Sequence, residues 1–304
     1  MRPPGTIFVV FNARSGRREH ANVRDDIESA LRSAGRSCEF IEVGENPAQA
    51  AARAARAAGE RAGIVVAAGG DGTMNTVAQA AFEADVPFGA VPLGTFNYFA
   101  RDNDIPLEPA AAARRLAEGA ERPVKIGLVN GRVFLVNASV GLYPMLLEER
   151  EAFKQQYGRT RWVALGAALW TILTRTHPRI VARIRADGAL REVRASTLFV
   201  GNNPLQLARL GIDHAQAVEA GQLAAIRVRP ASVWGLISVL AHGAVGRLAG
   251  ANEVESFAFR QMEVAPLRTK RGPMFLKVAT DGESVRMRLP LVFQVAPRPL
   301  RLVR

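Results

Sequence analysis

The sequence lacks most of the side chains that build disulfide frameworks, zinc sites and secretion signals. Its 304 residues include one cysteine, Cys38, so no disulfide can form within the chain. The four histidines show no metal-ligand spacing, which argues against a histidine-based metal site. No apolar signal-peptide core precedes the first β-branched run, and this predicts an intracellular, cytoplasmic protein.

Acidic residues and lysine are scarce compared with arginine. The net charge is +12, and only four of the 40 basic residues are lysines. Positive charge attracts nucleic acids, anionic lipids or phosphorylated ligands. Because the arginines are scattered and no nucleic-acid motif occurs, we do not expect nucleic acid as a partner. The length and a hydrophobic content of 48% predict a globular protein of two domains.

Residues 69–73, with the sequence GGDGT, stand between an apolar run at 64–68 and a helical pattern at 74–82. This order predicts a strand, a tight loop and a helix, without GxxxxGK[ST] or GxGxxG spacing. Glycines and the N–H groups of a first helical turn together favour phosphate binding. Since Asp71 would repel a phosphate, we expect Mg²⁺ between them, with Asp71 as its ligand. A plain Asp–Gly turn would explain the same residues.

A second polar loop supports the binding interpretation over the plain turn. A predicted strand at 86–91 leads into residues 92–101, with the sequence PLGTFNYFAR. Strands and helices alternate up to Val91, which predicts an α/β fold with a doubly wound, mostly parallel sheet. Loops that leave the carboxyl ends of neighbouring parallel strands face one cleft. The sequence therefore predicts that both loops belong to one binding site.

From residue 124 the pattern changes to closely spaced strand-like runs. Asn130-Gly131, between runs at 124–127 and 132–136, is a strong hairpin signal. Further runs occur at 180–185, 191–200, 223–228, 256–259, 275–279 and 285–288. This spacing predicts a second, antiparallel, β-rich domain with inserted helices.

The motifs GGDGTMNTV and PLGTFNYFAR together resemble the diacylglycerol kinase and sphingosine kinase superfamily, in particular its soluble bacterial lipid kinases. The resemblance implies a phosphofructokinase-like nucleotide domain at 1–123, rejoined by 297–304, and a lipid-substrate domain at 124–296. It also implies transfer of the γ-phosphate of ATP, with Mg²⁺, to a hydroxyl of diacylglycerol or a related lipid.

The same resemblance implies roles for individual residues. Nucleotide contacts are implied for three loops, at Asn12, Ser15, Gly16, Gly69, Gly70, Gly72, Thr73, Asn75, Gly94, Thr95 and Asn97. Glu283 is implied as the general base for the acceptor hydroxyl, with Asp281 as a supporting acid and Asp71 at the metal. From pattern alone, residues 280–283 are a hairpin turn like that at 185–189, which lacks the glutamate.

The sequence departs from the family pattern at two acids. Tyr98 and Lys125 stand where some relatives carry carboxylates of a magnesium network, so Asp71 is the one acid of that network left. Lys125 either places its ammonium near the phosphates or belongs to a remodelled site. Residues 220–223 lack the aspartate of the second, structural magnesium site of some relatives, so we do not expect that metal.

Two apolar helical faces, at 161–174 and 233–248, have arginines near their ends. They favour peripheral contact with an anionic membrane, at the inner face of the cell membrane, or else are core helices. Exposed strand edges in the second domain are compatible with a homodimer. Two other functions stay open: a catalytically weakened nucleotide- or lipid-binding regulator, and an NAD kinase, which the second motif disfavours.

Overall fold

A computed structural model describes residues 5–12, 22–141, 180–229, 232–266 and 275–304. The chain forms two compact units. Unit 1 runs from Met1 to Ile126 and includes Ala296–Arg304, and unit 2 is Gly127–Val295. The expected assignment of a nucleotide role to residues 1–123 and 297–304, and of a lipid role to 124–296, stays a prediction.

Unit 1 alternates strands and helices. Its elements are β1 (Ile7–Phe11), α1 (Val23–Ser33), β2 (Cys38–Glu42), α2 (Pro47–Glu60), β3 (Ile64–Gly69), α3 (Asp71–Ala84), β4 (Phe88–Pro92), α4 (Tyr98–Asp102), α5 (Pro109–Glu118), β5 (Glu121–Val124) and, from the end of the chain, β18 (Leu300–Val303). The strand order is β2-β1-β3-β4-β18-β5. All neighbouring pairs are parallel except β18 with β5.

The central strands of unit 1 are buried along their whole length. Every residue of β1, β3 and β4 is buried, as expected for parallel strands covered by helices. Helix α2 begins at Pro47, and the Asn46 side chain accepts a hydrogen bond from the Gln49 N–H, which satisfies one N–H group of the first turn. The predicted α/β fold with a mostly parallel sheet is confirmed.

Unit 2 is rich in antiparallel strands. Its elements are β6 (Gly127–Val129), β7 (Arg132–Phe134), β8 (Asn137–Gly141), β9 (Ile180–Ala186), β10 (Ala189–Ala195), β11 (Thr197–Gly201), α6 (Pro204–Arg209), α7 (Ala215–Glu219), β12 (Leu223–Val228), α8 (Val233–Ala244), a 3-10 turn (Leu248–Gly250), β13 (Val254–Phe259), β14 (Gln261–Pro266), β15 (Phe275–Thr280), β16 (Glu283–Arg288) and β17 (Leu291–Val295). The predicted antiparallel second region is also confirmed.

The strands of unit 2 form two six-stranded sheets. The first has the order β10-β9-β14-β17-β6-β7, and the second has the order β13-β12-β11-β8-β15-β16. Both contribute to one buried cluster, which contains Phe134 and Phe293 from the first sheet and Val140 and Val278 from the second. The predicted hairpin joins β6 to β7, with φ of +48° at Asn130 and +82° at Gly131. Positive φ at both turn residues is what a two-residue hairpin of this kind requires.

Two predicted strands are wrong in their limits. The run at 124–127 is not one strand, because β5 ends at Val124 in unit 1 and β6 begins at Gly127 in unit 2. The run at 191–200 is broken at Ser196, where the chain leaves the first sheet of unit 2 for the second. The Ser196 hydroxyl donates to the Val228 carbonyl at this step, at 3.2 Å.

The two predicted apolar helices have different outcomes. The face at 161–174 lies outside the described residues. The face at 233–248 is shorter than expected, because α8 ends at Ala244. Among the residues that the structure describes, no helix has the length and hydropathy needed to cross a membrane.

Candidate active site

The GGDGT motif forms the start of helix α3. β3 ends at Gly69, Gly70 is the N-cap, and the helix begins at Asp71 rather than at Met74 as expected. The first helical hydrogen bond runs from the Met74 N–H to the Gly70 carbonyl, at 3.0 Å. The N–H groups of Gly72 and Thr73 therefore have no acceptor within the helix, and they form a donor set at the carboxyl edge of the sheet. The Asp71 N–H contacts the carboxylate of its own side chain.

The PLGT loop packs directly against this helix start. The Leu93 N–H donates to the Gly69 carbonyl at 2.8 Å, which continues the pairing of β3 and β4. A Cβ atom on Gly94 would lie 2.9 Å from the Gly70 Cα and 2.8 Å from the Asn97 Oδ1. The contact between the two loops therefore requires a glycine at position 94.

Asn97 holds the second loop in shape and joins it to the first. Its backbone has a φ of +50°, a conformation that asparagine adopts more readily than most residues. The side-chain amide donates to the Gly94 carbonyl at 2.9 Å and accepts from the Gly94 N–H at 3.1 Å. The Asn97 N–H donates to Asp71 Oδ2 at 3.2 Å. The Asn97 side chain is buried, so its hydrogen bonds hold the loop in shape and do not compete with solvent.

One carboxylate oxygen of Asp71 accepts a hydrogen bond, and the other accepts none from the described residues. Within the described chain, the buried Oδ1 has no hydrogen-bond partner. Burial raises the pKa of the carboxyl group, and backbone N–H groups of Asn97 and Tyr98 partly oppose that rise. A buried carboxylate oxygen without a donor is well suited to a hard cation such as Mg²⁺. No cluster of three or more histidine, cysteine, aspartate or glutamate residues that could hold a metal occurs in the described ranges.

Asn12, the residue that follows β1, lies at the same edge of the sheet. The Asn12 side chain donates to the Thr73 Oγ1 at 3.0 Å. Ser15 and Gly16 lie outside the described residues. Asn75 is buried within α3, and Thr95 is exposed. The structure therefore brings together, at one edge of unit 1, the predicted residues Asn12, Gly69, Gly70, Asp71, Gly72, Thr73, Gly94 and Asn97.

The two residues that depart from the family pattern also lie in unit 1. Tyr98 stacks on Phe96, with ring centroids 5.9 Å apart. Burial lowers the pKa of the Lys125 ammonium to about 8, and the Asp102 carboxylate opposes the fall. Lys125 therefore keeps its charge at neutral pH while being easier to deprotonate than an exposed lysine.

Unit 2 contains the predicted base. Glu283 opens β16, directly opposite Thr280 of β15, and its side chain is 43% exposed. Arg132, the first residue of β7, donates from Nε to the Thr280 Oγ1 at 2.9 Å and from its terminal nitrogen to Glu283 Oε2 at 3.0 Å. Burial raises the pKa of the Glu283 carboxyl, and the charge and hydrogen bond of Arg132 oppose that rise.

Asp281 anchors the turn between β15 and β16. Its carboxylate accepts hydrogen bonds from three successive N–H groups, those of Leu135, Val136 and Asn137, at 2.7 to 2.9 Å. These donors belong to the segment that leads into β8, the strand next to β15. These hydrogen bonds anchor the turn to the neighbouring strand. A role of Asp281 as a supporting acid in the reaction stays a prediction.

The other Asp–Gly turn uses the same device. Asp187, between β9 and β10, accepts from the N–H groups of Arg260 and Gln261 at 3.0 to 3.1 Å. Gln261 opens β14, the strand next to β9. Asp187 and Asp281 also share a positive φ, at +44° and +48°. What distinguishes the turn at 281 is a glutamate directly after the glycine, bonded to an arginine from the other sheet.

Sequence comparison places these loops in a known family. A family model described as the diacylglycerol kinase catalytic domain matches residues 6–129, which include all three loops of unit 1. A protein named "Probable lipid kinase YegS-like" from Pseudomonas aeruginosa strain UCBPP-PA14 is 32% identical over 242 residues, or 78% of this chain and 75% of that protein. The chain belongs to the diacylglycerol kinase family of lipid kinases. The predicted family is thus confirmed.

Other members of the family agree with this result. The diacylglycerol kinase of Bacillus subtilis strain 168 is 30% identical over 190 residues, which is 60% of this chain and 60% of that kinase. A crystal structure of a diacylglycerol kinase from Bacillus anthracis strain Sterne superposes with a TM-score of 0.68, at 17% identity, over 100% of this chain and 97% of that one. At such low identity the superposition establishes the shared fold.

Sequence analysis did not find Arg132. The residue belongs to no motif, and it follows an Asn–Gly turn that any hairpin could contain. Its two partners lie 148 and 151 residues further along the chain. An arginine at the start of a strand gives no local signal of such a contact.

The two Asp–Gly turns give a matched prediction for stability. Asp281→Ala leaves three N–H groups without their acceptor, and we expect it to lower the free energy of unfolding by about 2 to 4 kcal/mol. Asp187→Ala should cost less, because that turn is more exposed. Urea unfolding of both variants measures the difference. An Asp281→Ala protein as stable as the parent would contradict the anchoring role.

Proposed function

We propose that this lipid kinase transfers the γ-phosphate of ATP, with Mg²⁺, to a hydroxyl of diacylglycerol or a closely related lipid. The observation that carries the proposal is the junction of two loops in unit 1, where Asn97 contacts Asp71 beside the open N–H groups of α3. The family supports lipid phosphorylation, and the name of the Bacillus subtilis relative supports diacylglycerol as the acceptor.

The N–H groups of Gly72 and Thr73 are the proposed phosphate ligands. They lie at the positive end of the α3 dipole and have no acceptor within the helix. Gly70 and Gly94 let the two loops pack against each other, which places the second loop beside these donors. Thr73, held by the Asn12 amide, adds a hydroxyl at the same edge.

Asp71 is the proposed Mg²⁺ ligand, through its open Oδ1. One protein carboxylate is enough for Mg²⁺, because this ion commonly completes its shell with water and with substrate phosphates. When bound, Mg²⁺ neutralises negative charge on the phosphates of the nucleotide. Asn97 fixes the orientation of the carboxylate through the hydrogen bond to Oδ2.

Glu283 is the proposed general base. Its Oε2 accepts from Arg132, whereas Oε1 accepts no hydrogen bond from the described residues and belongs to a partly exposed side chain. In the proposed reaction Oε1 accepts the proton of the lipid hydroxyl while the hydroxyl oxygen bonds to the γ-phosphorus. The bond from that phosphorus to the bridging oxygen breaks, and ADP leaves with the electron pair.

Helix α8 is the proposed membrane-contact surface. It contains no charged side chain, and its Leu236 packs on Val228. Trp234 is 79% exposed and Val245 is 70% exposed, three turns apart and therefore on one side. Three arginines occur between 220 and 252, of which Arg227 and Arg229 both pair with Glu255 and Arg247 follows the helix. An exposed tryptophan on an uncharged helix suits the interface of a bilayer.

The first prediction from this proposal concerns Glu283→Gln. The amide cannot accept the hydroxyl proton, so we expect turnover to fall by about 10² to 10⁴-fold. Binding of Mg·ATP should not change. The measurement is transfer of labelled phosphate from ATP to diacylglycerol in vesicles, with NAD as a second acceptor. Unchanged turnover in Glu283→Gln would reject Glu283 as the base. For the parent protein, labelled NAD would support an NAD kinase, and binding of ATP without transfer would support a regulator.

The other hairpin provides the control for this substitution. Glu192 of β10 is also paired with an arginine, Arg183, at 3.7 Å. Glu192→Gln removes the same charge from an exposed pair beside the Asp187 turn. We expect it to leave turnover at the parent value.

The second prediction concerns the proposed membrane surface. Trp234→Ser should lower binding to phosphatidylglycerol vesicles by about tenfold, because the indole is the largest apolar group on the exposed side of α8. Vesicle sedimentation measures the change, with Leu190→Ser as the control, since Leu190 is a large exposed hydrophobic residue on β10. Equal loss in both variants would contradict the assignment.

A homodimer and a cytoplasmic location stay predictions.

A further inference from the structure

Arg132 joins two strand edges of unit 2. It opens β7, at the edge of the first sheet, and its guanidinium contacts Thr280 and Glu283, which lie on β15 and β16 at the edge of the second. Thr280 is fully buried and stands directly opposite Glu283 in the β15–β16 register. The guanidinium therefore bonds to both members of one cross-strand pair.

We propose that Arg132 is a positioning residue that keeps the Glu283 carboxylate ionised and directs Oε1 towards the acceptor hydroxyl. The inference rests on the proposed role of Glu283 as the base. It adds a second requirement for catalysis. A carboxylate that rotates freely, or that is already protonated near neutral pH before the substrate binds, would be an ineffective base.

The geometry accounts for the orientation. The Nε bond to the Thr280 hydroxyl fixes the plane of the guanidinium, and the terminal nitrogen then holds Glu283 Oε2. A rigid planar fork makes both bonds at once, whereas a lysine ammonium would supply the charge without the plane. With Oε2 engaged, Oε1 is the oxygen left for the substrate.

The electrostatics account for the ionised state. Burial favours the protonated carboxyl, and the Arg132 charge favours the carboxylate. The other charged residues on β15 and β16 are further from Glu283. Lys277 and Arg286 stand opposite each other, three register positions from the Thr280–Glu283 pair, and Arg288 is further still. The Asp281 carboxylate is bonded to the backbone of residues 135–137. Arg132 is thus the charge that opposes the effect of burial.

The sign of the pH dependence follows from these two effects. A general base works only when it is ionised, so activity is lost as the pH falls through the pKa of Glu283. Without Arg132 the effect of burial is unopposed and that pKa rises. The acidic limb of the rate profile should therefore move to higher pH in a variant that lacks the guanidinium.

The test is the pH profile of kcat/KM for diacylglycerol in mixed micelles. For Arg132→Met we expect the acidic limb at higher pH, with activity at pH 6 reduced by about tenfold or more and partly recovered at pH 9. The KM for ATP should stay at the parent value. A loss by the same factor at every pH would overturn the proposal, since a merely structural defect would not depend on protonation.

Two further variants separate charge from orientation. Arg132→Lys should keep the parent pH limb but lower kcat, and it remains informative if the methionine variant does not fold. Thr280→Val removes the acceptor of the Nε bond in a buried position of similar shape, and it should also lower kcat without moving the limb. A limb that moves in Thr280→Val but not in Arg132→Met would overturn the assignment.

Controls keep this inference distinct from the proposed function. Arg183→Met removes the arginine of the matched pair on the β9–β10 hairpin and should leave the profile unchanged. Full turnover in Glu283→Gln would reject the base itself. An inactive Glu283→Gln together with an unshifted profile in Arg132→Met would reject the role of Arg132 alone.

Discussion

The hydrogen bond from the Asn97 N–H to Asp71 Oδ2 joins the two loops that carry the proposed nucleotide site of unit 1. It forms because Asn97 adopts a left-handed conformation and because Gly94 lets its loop approach Gly70. The bond engages one oxygen of Asp71 and leaves the other buried without a donor in the described chain. That oxygen is the proposed metal ligand, so the contact that shapes the backbone would also orient the carboxylate for a cation.

Two Asp–Gly turns of unit 2 share one anchoring device, and only the second carries the proposed base. Asp187 and Asp281 each hold an Asp–Gly hairpin against a neighbouring strand by accepting backbone N–H groups. At the second turn, Glu283 follows the glycine and Arg132 reaches it from the other sheet. The aspartate fixes where the turn lies, and the arginine holds one oxygen of the glutamate. In the proposed reaction, anchoring and proton transfer therefore fall to residues two positions apart.

Sequence patterns predicted most of unit 1, because its central strands β1, β3 and β4 are continuous apolar runs and its longer helices have clear limits. They placed the start of α3 three residues late, since glycine and aspartate are typical of loops, although aspartate is also favourable in a first helical turn. In unit 2 they joined β10 and β11, because nothing in the local pattern marks the change of sheet at Ser196. Arg132 was beyond local reasoning, since its contacts connect residues about 150 positions apart.

Asp71, placed by Asn97, is the proposed ligand of the metal that accompanies the nucleotide. Calorimetric titration with ATP, with and without Mg²⁺, on the parent protein and on Asp71→Asn tests this role most directly. We expect Mg²⁺ to strengthen ATP binding to the parent by about tenfold or more, a free-energy gain of about 1.4 kcal/mol, and to have little effect on Asp71→Asn. Equal dependence on Mg²⁺ in both proteins, or none in the parent, would contradict it.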